Sequence, residues 1–217
     1  MNREASYAAG ELSRARLLDA AAACFAEQGY EGTSVRDITG RAACNVSAIK
    51  YYFGGKKELY VAVFDQRFQE ITARRVPALR ALLDVDELGL EQVLETFAQV
   101  FLEPLTDQPR GQQTMKLFLR DMVESHLPEG MLLEMMIRPT LAALMDALAK
   151  ACPGLDGREA QLCCHSLVSQ LVHVMHMQRL HGKPAPDTPP NLALDDMIRH
   201  IVSFTAAGIR SRLEVPA

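Results

Sequence analysis

The stretch from Thr33 to Lys57 constrains the fold more than any other part of the chain, because two short helical patterns meet there across a turn of a few residues. Apolar residues at helical spacing (Val35, Ile38, Ala42) predict one face of the first helix, and Ile49 can pack the second helix against it. The second helix is small, polar and aromatic on its outer face, as a helix that enters a DNA major groove about 12 Å wide must be. The stretch therefore predicts a DNA-reading helix-turn-helix.

Local signals mark the ends of both helices. Ser34 with Asp37 is typical of a capping box at the start of the first helix. Asn45 can cap the second helix, and Gly54 and Gly55 end it.

Three cations stand where this motif would meet DNA. Arg36 lies one turn into the first helix and can reach a base edge or a phosphate, although a solvated surface arginine is the alternative. Lys50 lies on the outward face of the second helix with Val46 and Ser47. Lys50 suits a guanine or a phosphate, Val46 can contact a thymine methyl, and Ser47 can form a hydrogen bond. Lys56 opens the next helix, where its charge opposes the helix dipole, and a DNA phosphate would explain that placement.

Composition is ordinary for a globular protein: of 217 residues, 48% are hydrophobic and 23% charged. The net charge of −4 divides into +1 for residues 1–60 and −5 for the rest, which is the sign expected if the N-terminal part meets DNA. No apolar run approaches the roughly 20 residues of a membrane span, and the N-terminus lacks a secretion signal. The five cysteines have no framework spacing, so reduced thiols and a cytoplasmic location are expected.

Periodicity predicts an all-α chain with about nine helices, because no stretch shows sustained strand alternation. The first helix is expected from Ser13 to Gln28 with Gly29 as its stop, and a long helix from Lys56 towards Pro77 is expected to lead into the rest of the chain. Later helices are expected to end near Pro104, before Pro128, at Pro153-Gly154 and at His181, and a Pro-rich link at residues 183–191 precedes the last helix.

The segment from Arg14 to Phe64 resembles the N-terminal domain of TetR-type transcriptional regulators. The resemblance is carried by EQGYEGTS at the end of the first helix, by YYF at the end of the reading helix and by the lysine that opens the next one. The turn departs from the usual Ala-Gly-Val-Ser, since residues 42–45 read Ala-Ala-Cys-Asn. The reading helix also departs, because Ser47 and Ile49-Lys50 replace the usual Gly and Leu-Tyr, so no relative's operator sequence can be carried over.

The resemblance implies a three-helix DNA-binding domain at residues 1–57 and a helical-bundle domain at residues 58–217 that binds a small molecule. It also implies a homodimer, built by the last two helices, on double-stranded operator DNA. The resemblance also implies that Tyr52 contacts a DNA phosphate, and by extension that Tyr51 does so. The alternative is that both tyrosines are aromatic residues of the core. The predicted DNA contacts are Thr33, Ser34, Arg36, Asn45, Val46, Ser47, Lys50, Tyr51, Tyr52 and Lys56.

Within this family, two segments resemble the CecR-type subgroup, namely residues 116–148 and the pattern from Asn45 to Gly54. Methionine and phenylalanine are abundant in the C-terminal helices, and methionine adapts to permissive binding surfaces, although ordinary core is the alternative. Pro139 falls inside a helical stripe and is expected to kink it and free the carbonyl of Met135. The predicted effector pocket consists of Phe97, Phe101, Phe118, Met122, Met136, Arg138, His173 and His176.

The last helix carries an apolar stripe of Ile198, Ile201, Thr205 and Ile209, which is expected to face the second subunit. The preceding helix carries Leu167, Leu171 and Val174, which are also expected to contact the second subunit. Left in water, a stripe of this size would promote aggregation, so a symmetric partner is the economical explanation.

Two other readings stay open at this point. One is an all-α enzyme or metal-binding bundle that uses His173 and His176, a pair at i, i+3 that can share one ion, with the Cys163-Cys164-His165 cluster. No CxxC or HExxH spacing is present to support it. The other is a DNA-binding regulator that takes no ligand. The favoured prediction is a ligand-responsive, dimeric repressor that is not an enzyme and has no cofactor and no structural metal.

Overall fold

The computed structural model describes residues 2–106, 109–180 and 193–213, and only the backbone of residues 2–7, 104–106 and 176–180. Within these ranges the chain is all-helical and forms nine α-helices, which confirms the predicted fold class. They are α1 (Asn2–Gly32), α2 (Val35–Ala42), α3 (Ser47–Phe53), α4 (Lys56–Ala81), α5 (Leu90–Thr106), α6 (Arg110–Glu124), α7 (Arg138–Ala151), α8 (Gly157–Leu180) and α9 (Leu194–Leu213). None of the described helices is long and apolar enough to cross a membrane. The predicted link at residues 183–191 lies outside the described residues.

The helices form two compact units. The first unit holds residues up to 71 together with residues 107–135, so it contains α1–α3, most of α4 and all of α6. The second unit holds the end of α4 with α5 and α7–α9. The functional boundary expected at residue 57 stays a prediction.

The core of the first unit is rich in aromatic side chains. Phe25, Tyr60, Phe64 and Phe68 are almost completely buried. The half-buried Phe118 of α6 lies 5.7 Å from Phe64 and 5.5 Å from Phe68, measured between ring centroids. Such ring pairs add about 0.5–1.5 kcal/mol beyond the burial of their area, so α6 is held to α4 by more than apolar contact alone.

Only some of the predicted helix ends are observed, and the end of α6 is one of them, because α6 ends at Glu124, before Pro128. α1 begins at Asn2, well before Ser13, because the alanine-rich N-terminal segment favours a helix without a marked cap. Gly29 does interrupt α1, since its φ of 77° is a conformation that glycine adopts readily, and a last turn continues to Gly32. α4 continues through Pro77 to Ala81, and α5 ends at Thr106, beyond Pro104.

In the second unit α9 packs against α5 and α8. Ile201, Thr205 and Ile209 are 5%, 7% and 0% exposed, so they belong to the core of their own subunit. The prediction that these three residues face a partner is therefore wrong, whereas Ile198, the remaining member of the stripe, is half-buried. The prediction is also wrong for Leu167, Leu171 and Val174, which are buried too. Periodicity identified the apolar faces correctly, but it assigned them to the wrong neighbour.

Pro139 lies in the first turn of α7, directly after a π-helical turn at Leu133–Ile137. The expected irregularity is present, but it takes the form of the wider turn before the proline. N–H groups in the first turn of a helix have no acceptor within that helix, so a proline at this position removes no helical hydrogen bond and the helix beyond it is regular. The Thr140 hydroxyl donates to the Met136 carbonyl oxygen at 2.8 Å and ties this junction together.

Candidate nucleic-acid interface

The predicted capping box at the start of α2 is formed. The Ser34 N–H donates to Asp37 Oδ2 at 2.9 Å, and the Asp37 N–H donates to Ser34 Oγ at 3.2 Å. Hydrogen bonds to the Asp37 carboxylate from the Ser34 side chain and backbone favour its charged form and hold the pKa of Asp37 below its usual value. The start of the first motif helix is thus set by residues adjacent in sequence.

The turn between α2 and α3 is tight and partly left-handed. Ala43 has a φ of 50° and a ψ of 47°, and the Cys44 N–H donates to the Thr39 carbonyl at 2.9 Å. The Asn45 side chain then accepts from the Ser47 N–H at 3.1 Å, so it satisfies one of the free donors at the start of α3, as predicted. Gly54, with a φ of 96°, ends α3.

Packing fixes the direction in which α3 points. Ile38 and Ile49 are 0% and 1% exposed, and Ala42 is buried with them. A salt bridge between Arg41 and Glu27 at 2.9 Å ties α2 to α1. Because these contacts occupy one face of each short helix, the opposite face of α3 is left to solvent.

The predicted DNA-contacting side chains of α3 lie on that solvent face. Val46 is 50% exposed and Tyr51 is 82% exposed, values high for an aliphatic and an aromatic side chain on a folded surface. Ser47 and Lys50 are exposed as well, as is Asn45. The arrangement presents a hydroxyl, a methyl-bearing surface, a cation and a phenol on one short helix, the set that reads base edges and phosphates in a major groove.

The residues of α2 and its cap divide between solvent and core. Ser34 and Arg36 are exposed to solvent. Thr33 is 1% exposed, and its hydroxyl donates to the Gly29 carbonyl at 2.7 Å. Its inclusion among the DNA contacts is corrected, because a side chain used to close the break in α1 is not presented to a groove.

Lys56 and the two tyrosines flank the reading helix. Lys56 Nζ lies 4.3 Å from the centroid of the Tyr30 ring, a cation–π contact that holds the ammonium group at the start of α4. Tyr52 is half-buried and lies edge-on to Tyr51, with ring centroids 4.9 Å apart. Tyr30 was missed in the sequence, where only its position after Gly29 marked it as special.

Three polar residues of α6 were also missed as part of this unit. The Arg120 guanidinium donates to the Glu27 carbonyl at 2.9 Å, and Glu124 Oε2 accepts from the Tyr30 N–H at 3.2 Å. Both partners lie at the break in α1, where the helix no longer satisfies its own backbone groups. Asp121 accepts from the buried Tyr60 hydroxyl at 3.1 Å, and burial, followed by the Asp121 charge, raises the pKa of Tyr60. No periodic signal could have revealed these contacts.

The apolar members of the predicted pocket divide between the two units. Phe97 and Phe101 lie in the second unit, 5.5 Å apart between ring centroids, whereas Phe118 and Met122 lie in the first. Met122 is 75% exposed, because the contacts at the end of α6 are made by the neighbouring Arg120, Asp121 and Glu124. Met136 is half-buried.

Two of the three polar members of the predicted pocket lie at exposed positions. Arg138 and His173 are exposed, and the side chain of His176 lies outside the described residues. Among described residues no group of three or more His, Cys, Asp or Glu side chains is placed to hold a metal ion. The five cysteines are free thiols.

Comparison with known proteins assigns both halves of the chain. Residues 17–63 match the family model for bacterial regulatory proteins of the tetR family, and residues 95–208 match the tetracyclin repressor-like C-terminal domain. The dual transcriptional regulator CecR of Shigella flexneri is 44% identical over 62 residues, which are 29% of this chain and 27% of that protein. The regulator CymR of Pseudomonas putida is 31% identical over 91 residues, 42% of this chain and 44% of that protein. The chain thus spans less than half the length of these curated relatives.

A solved structure extends the likeness to nearly the whole chain. The crystal structure of a TetR-family transcriptional regulator from Mesorhizobium loti superposes with a TM-score of 0.67 at 17% identity and covers 93% of this chain and 96% of the other. At that identity it supports the fold alone. The family and the named relatives are transcriptional regulators, not enzymes. Because the C-terminal family model by itself covers more than half of the chain, this protein belongs to the TetR family of bacterial transcriptional regulators.

Proposed function

We propose that this regulator is a ligand-responsive repressor that binds a near-palindromic operator as a homodimer in the cytoplasm. The observation that carries the proposal is the solvent-facing surface of α3, on which Val46, Ser47, Lys50 and Tyr51 are exposed while Ile49 is buried behind them. A helix anchored on one face and polar on the other is what insertion into a major groove requires. The CecR-type resemblance is adopted as the subgroup, supported by the 62-residue match.

Each exposed side chain has a role in this proposal. Arg36 and Lys50 read base edges, since bidentate contact to guanine is the commonest specific readout. Ser47 and Asn45 add hydrogen bonds, and Val46 contacts a thymine methyl. Tyr51, Tyr52, Ser34 and Lys56 bind phosphates, which sets the register on the duplex without reading sequence.

The homodimer is proposed to use the solvent faces of α8 and α9 in place of the buried stripes. Phe204 of α9 is 64% exposed and lies beside His200, with ring centroids 6.2 Å apart. Leu162 of α8 is 52% exposed. Small exposed residues on the same helices, such as Gly208 and Ser169, allow close approach of a second copy. Such a dimer presents two reading helices to major grooves roughly 34–36 Å apart.

Ligand control is proposed to act through α6. Arg120 and Glu124 hold the backbone at the break in α1, and Asp121 holds Tyr60 of α4. A ligand that binds better to a second position of α6 would shift the reading helices away from operator spacing, and only that difference in affinity releases DNA.

Binding to the DNA upstream of the protein's own gene tests the proposal, with fluorescence anisotropy on the specific and on a scrambled duplex. Arg36→Ala is expected to cost about 1–3 kcal/mol per half-site on the specific duplex only. Lys56→Ala is expected to weaken both duplexes alike and to lower the salt slope by about one. Arg80→Ala, at an exposed position near the end of α4 and outside both proposed interfaces, is the matched control. Unchanged affinity in both N-terminal variants would refute the proposed docking.

A further inference from the structure

Arg67 of α4 is a deeply buried cation. Its side chain is 3% exposed, and it lies in the first unit facing the start of α6. Its Nη1 donates to Glu70 Oε2 at 3.0 Å, and its Nη2 donates to Gln113 Oε1 at 3.3 Å. Within the described residues, the third donor, Nε, is buried and makes no hydrogen bond. A buried donor left without an acceptor is rare in a folded protein and calls for an explanation.

Within the part of the chain that the structure describes, the charges around Arg67 do not balance. Glu70 contributes one carboxylate and divides it between two guanidinium groups, because its other oxygen accepts from Arg110 Nη2. Two cations and one carboxylate leave an excess of one positive charge. Although burial acts against ionisation, the bonds from Arg110 and Arg67 lower the pKa of Glu70, so its carboxylate stays charged.

The start of α6 adds to this excess. α6 begins at Arg110, one turn before Gln113, and has no acidic residue in its first turn. The N-terminus of a helix carries a partial positive charge that favours an anion. By itself this would not make a site, but here it lies next to a buried guanidinium with an unused donor.

We propose that Arg67, Arg110 and Gln113 form a binding site for the carboxylate group of a small aromatic acid. This inference rests on the proposed function, since the acid would be the effector that acts on α6. The carboxylate accepts from Arg67 Nε and from the Arg110 guanidinium, which gives the buried donor its acceptor and neutralises the excess charge. Glu70 and Arg110 are 35% and 44% exposed, so they form the side through which the anion enters.

The charge and the neighbouring side chains define the class of ligand. A monoanion cancels a single excess charge, whereas a phosphate dianion would introduce a further negative charge beside Glu70. Phe64 lies three residues before Arg67 on α4, Phe68 follows Arg67 directly, and the half-buried Phe118 lies five residues after Gln113 on α6. The three rings form one group of stacked, tilted and edge-on pairs. Aromatic rings pair favourably in such arrangements, so an aromatic body suits this neighbourhood better than a hydrophilic one.

The test is isothermal titration calorimetry of the full-length protein with benzoate. Benzamide serves as a neutral probe of the same shape, and inorganic phosphate serves as the alternative anion. Benzoate is expected to bind at least tenfold more tightly than benzamide or phosphate. Arg110→Gln is expected to weaken benzoate binding about fivefold to tenfold, and Glu70→Gln to strengthen it by a similar factor, because the first removes a positive charge and the second a negative one. Both positions are partly exposed, so both variants are expected to fold.

Opposite changes of benzoate affinity in the two variants distinguish a binding site from a purely structural ion cluster, because either substitution would weaken such a cluster. The proposal would be overturned if benzoate and benzamide bound equally well, or if phosphate bound more tightly than benzoate. It would also be overturned if both variants changed benzoate affinity in the same direction, or if Glu70→Gln did not bind benzoate at millimolar concentration. DNA affinity is measured separately by anisotropy with and without benzoate. Charge-dependent benzoate binding without any effect on DNA would support the site and refute only its role as effector site.

Discussion

Ala43 shows how one residue sets the geometry of the DNA-reading motif. It is left-handed, at a φ of 50°, in the turn that positions α3 on α2. Related motifs usually have glycine at this position, whereas a side chain in that conformation costs about 1–2 kcal/mol. The hydrogen bonds of the turn and the packing of Ile38 on the preceding helix hold Ala43 in place against that cost.

Replacing Ala43 with glycine is therefore expected to stabilise the protein by about 0.5–1 kcal/mol. The relief of left-handed strain exceeds the entropy that glycine adds to the unfolded chain. Urea unfolding followed by circular dichroism measures the change. The neighbouring Ala42→Gly, at a buried helical position, serves as the control and is expected to destabilise by about 1 kcal/mol. A loss of stability in Ala43→Gly would contradict the assignment of strain to this turn.

At the scale of elements, the position of α6 matters most for the proposed ligand control. Its N-terminal end carries the charged cluster around Arg67, and its C-terminal end bonds to the break in α1 beside Lys56 and Tyr30. α4 and α6 run antiparallel in this unit, because Arg67 meets Gln113 while Tyr60 meets Asp121. One helix thus connects a candidate anion site with the support of the DNA-reading helices.

Removing the acceptor at the end of α6 is expected to loosen the break in α1. In Glu124→Ala the Tyr30 N–H loses its partner, so its hydrogen exchange is expected to be about tenfold faster, which corresponds to one hydrogen bond of about 1.4 kcal/mol. Exchange measured by NMR tests this, with the exposed Glu129→Ala as the control. If Tyr30 exchanged at the same rate in Glu124→Ala as in the unmodified protein, α6 would not be what holds this segment.

At the scale of the whole molecule, the proposed dimer depends on which face of α9 is free to contact a second subunit. Ile201 is 5% exposed and Phe204 is 64% exposed, although the two residues are less than one turn apart. The buried side belongs to the packing of α9 on α5 and α8 within one chain. The exposed side is therefore the one left for association.

Phe204→Asp is expected to give a folded monomer, because it places a charge in the proposed interface and leaves the core intact. Light scattering reports the mass, and circular dichroism reports the helix content. Ile201→Glu is expected instead to unfold the second unit, since it buries an unpaired charge. Leu83→Asp, at another exposed apolar position, is the control and should stay dimeric. A dimeric Phe204→Asp variant would move the interface to another surface.

The sequence by itself determined the features that depend on neighbouring residues. The capping box of Ser34 and Asp37, the cap from Asn45, the end of α3 at Gly54 and the break at Gly29 all depend on hydrogen bonds and backbone conformation within a few residues. The all-helical fold followed from periodicity, and the exposed face of α3 followed from the same pattern.

Only the tertiary structure decided which neighbour covers each apolar face. A helical stripe shows that a face must be buried, but a partner in the same chain and one in another chain satisfy it equally, so α9 was assigned wrongly. The exposure of Met122, the burial of Thr33 and the contacts of Arg120 and Glu124 at α1 could not be predicted for a related reason. Each depends on residues about 90 positions apart or on the end of a helix, where spacing along the chain carries no information about the packing partner.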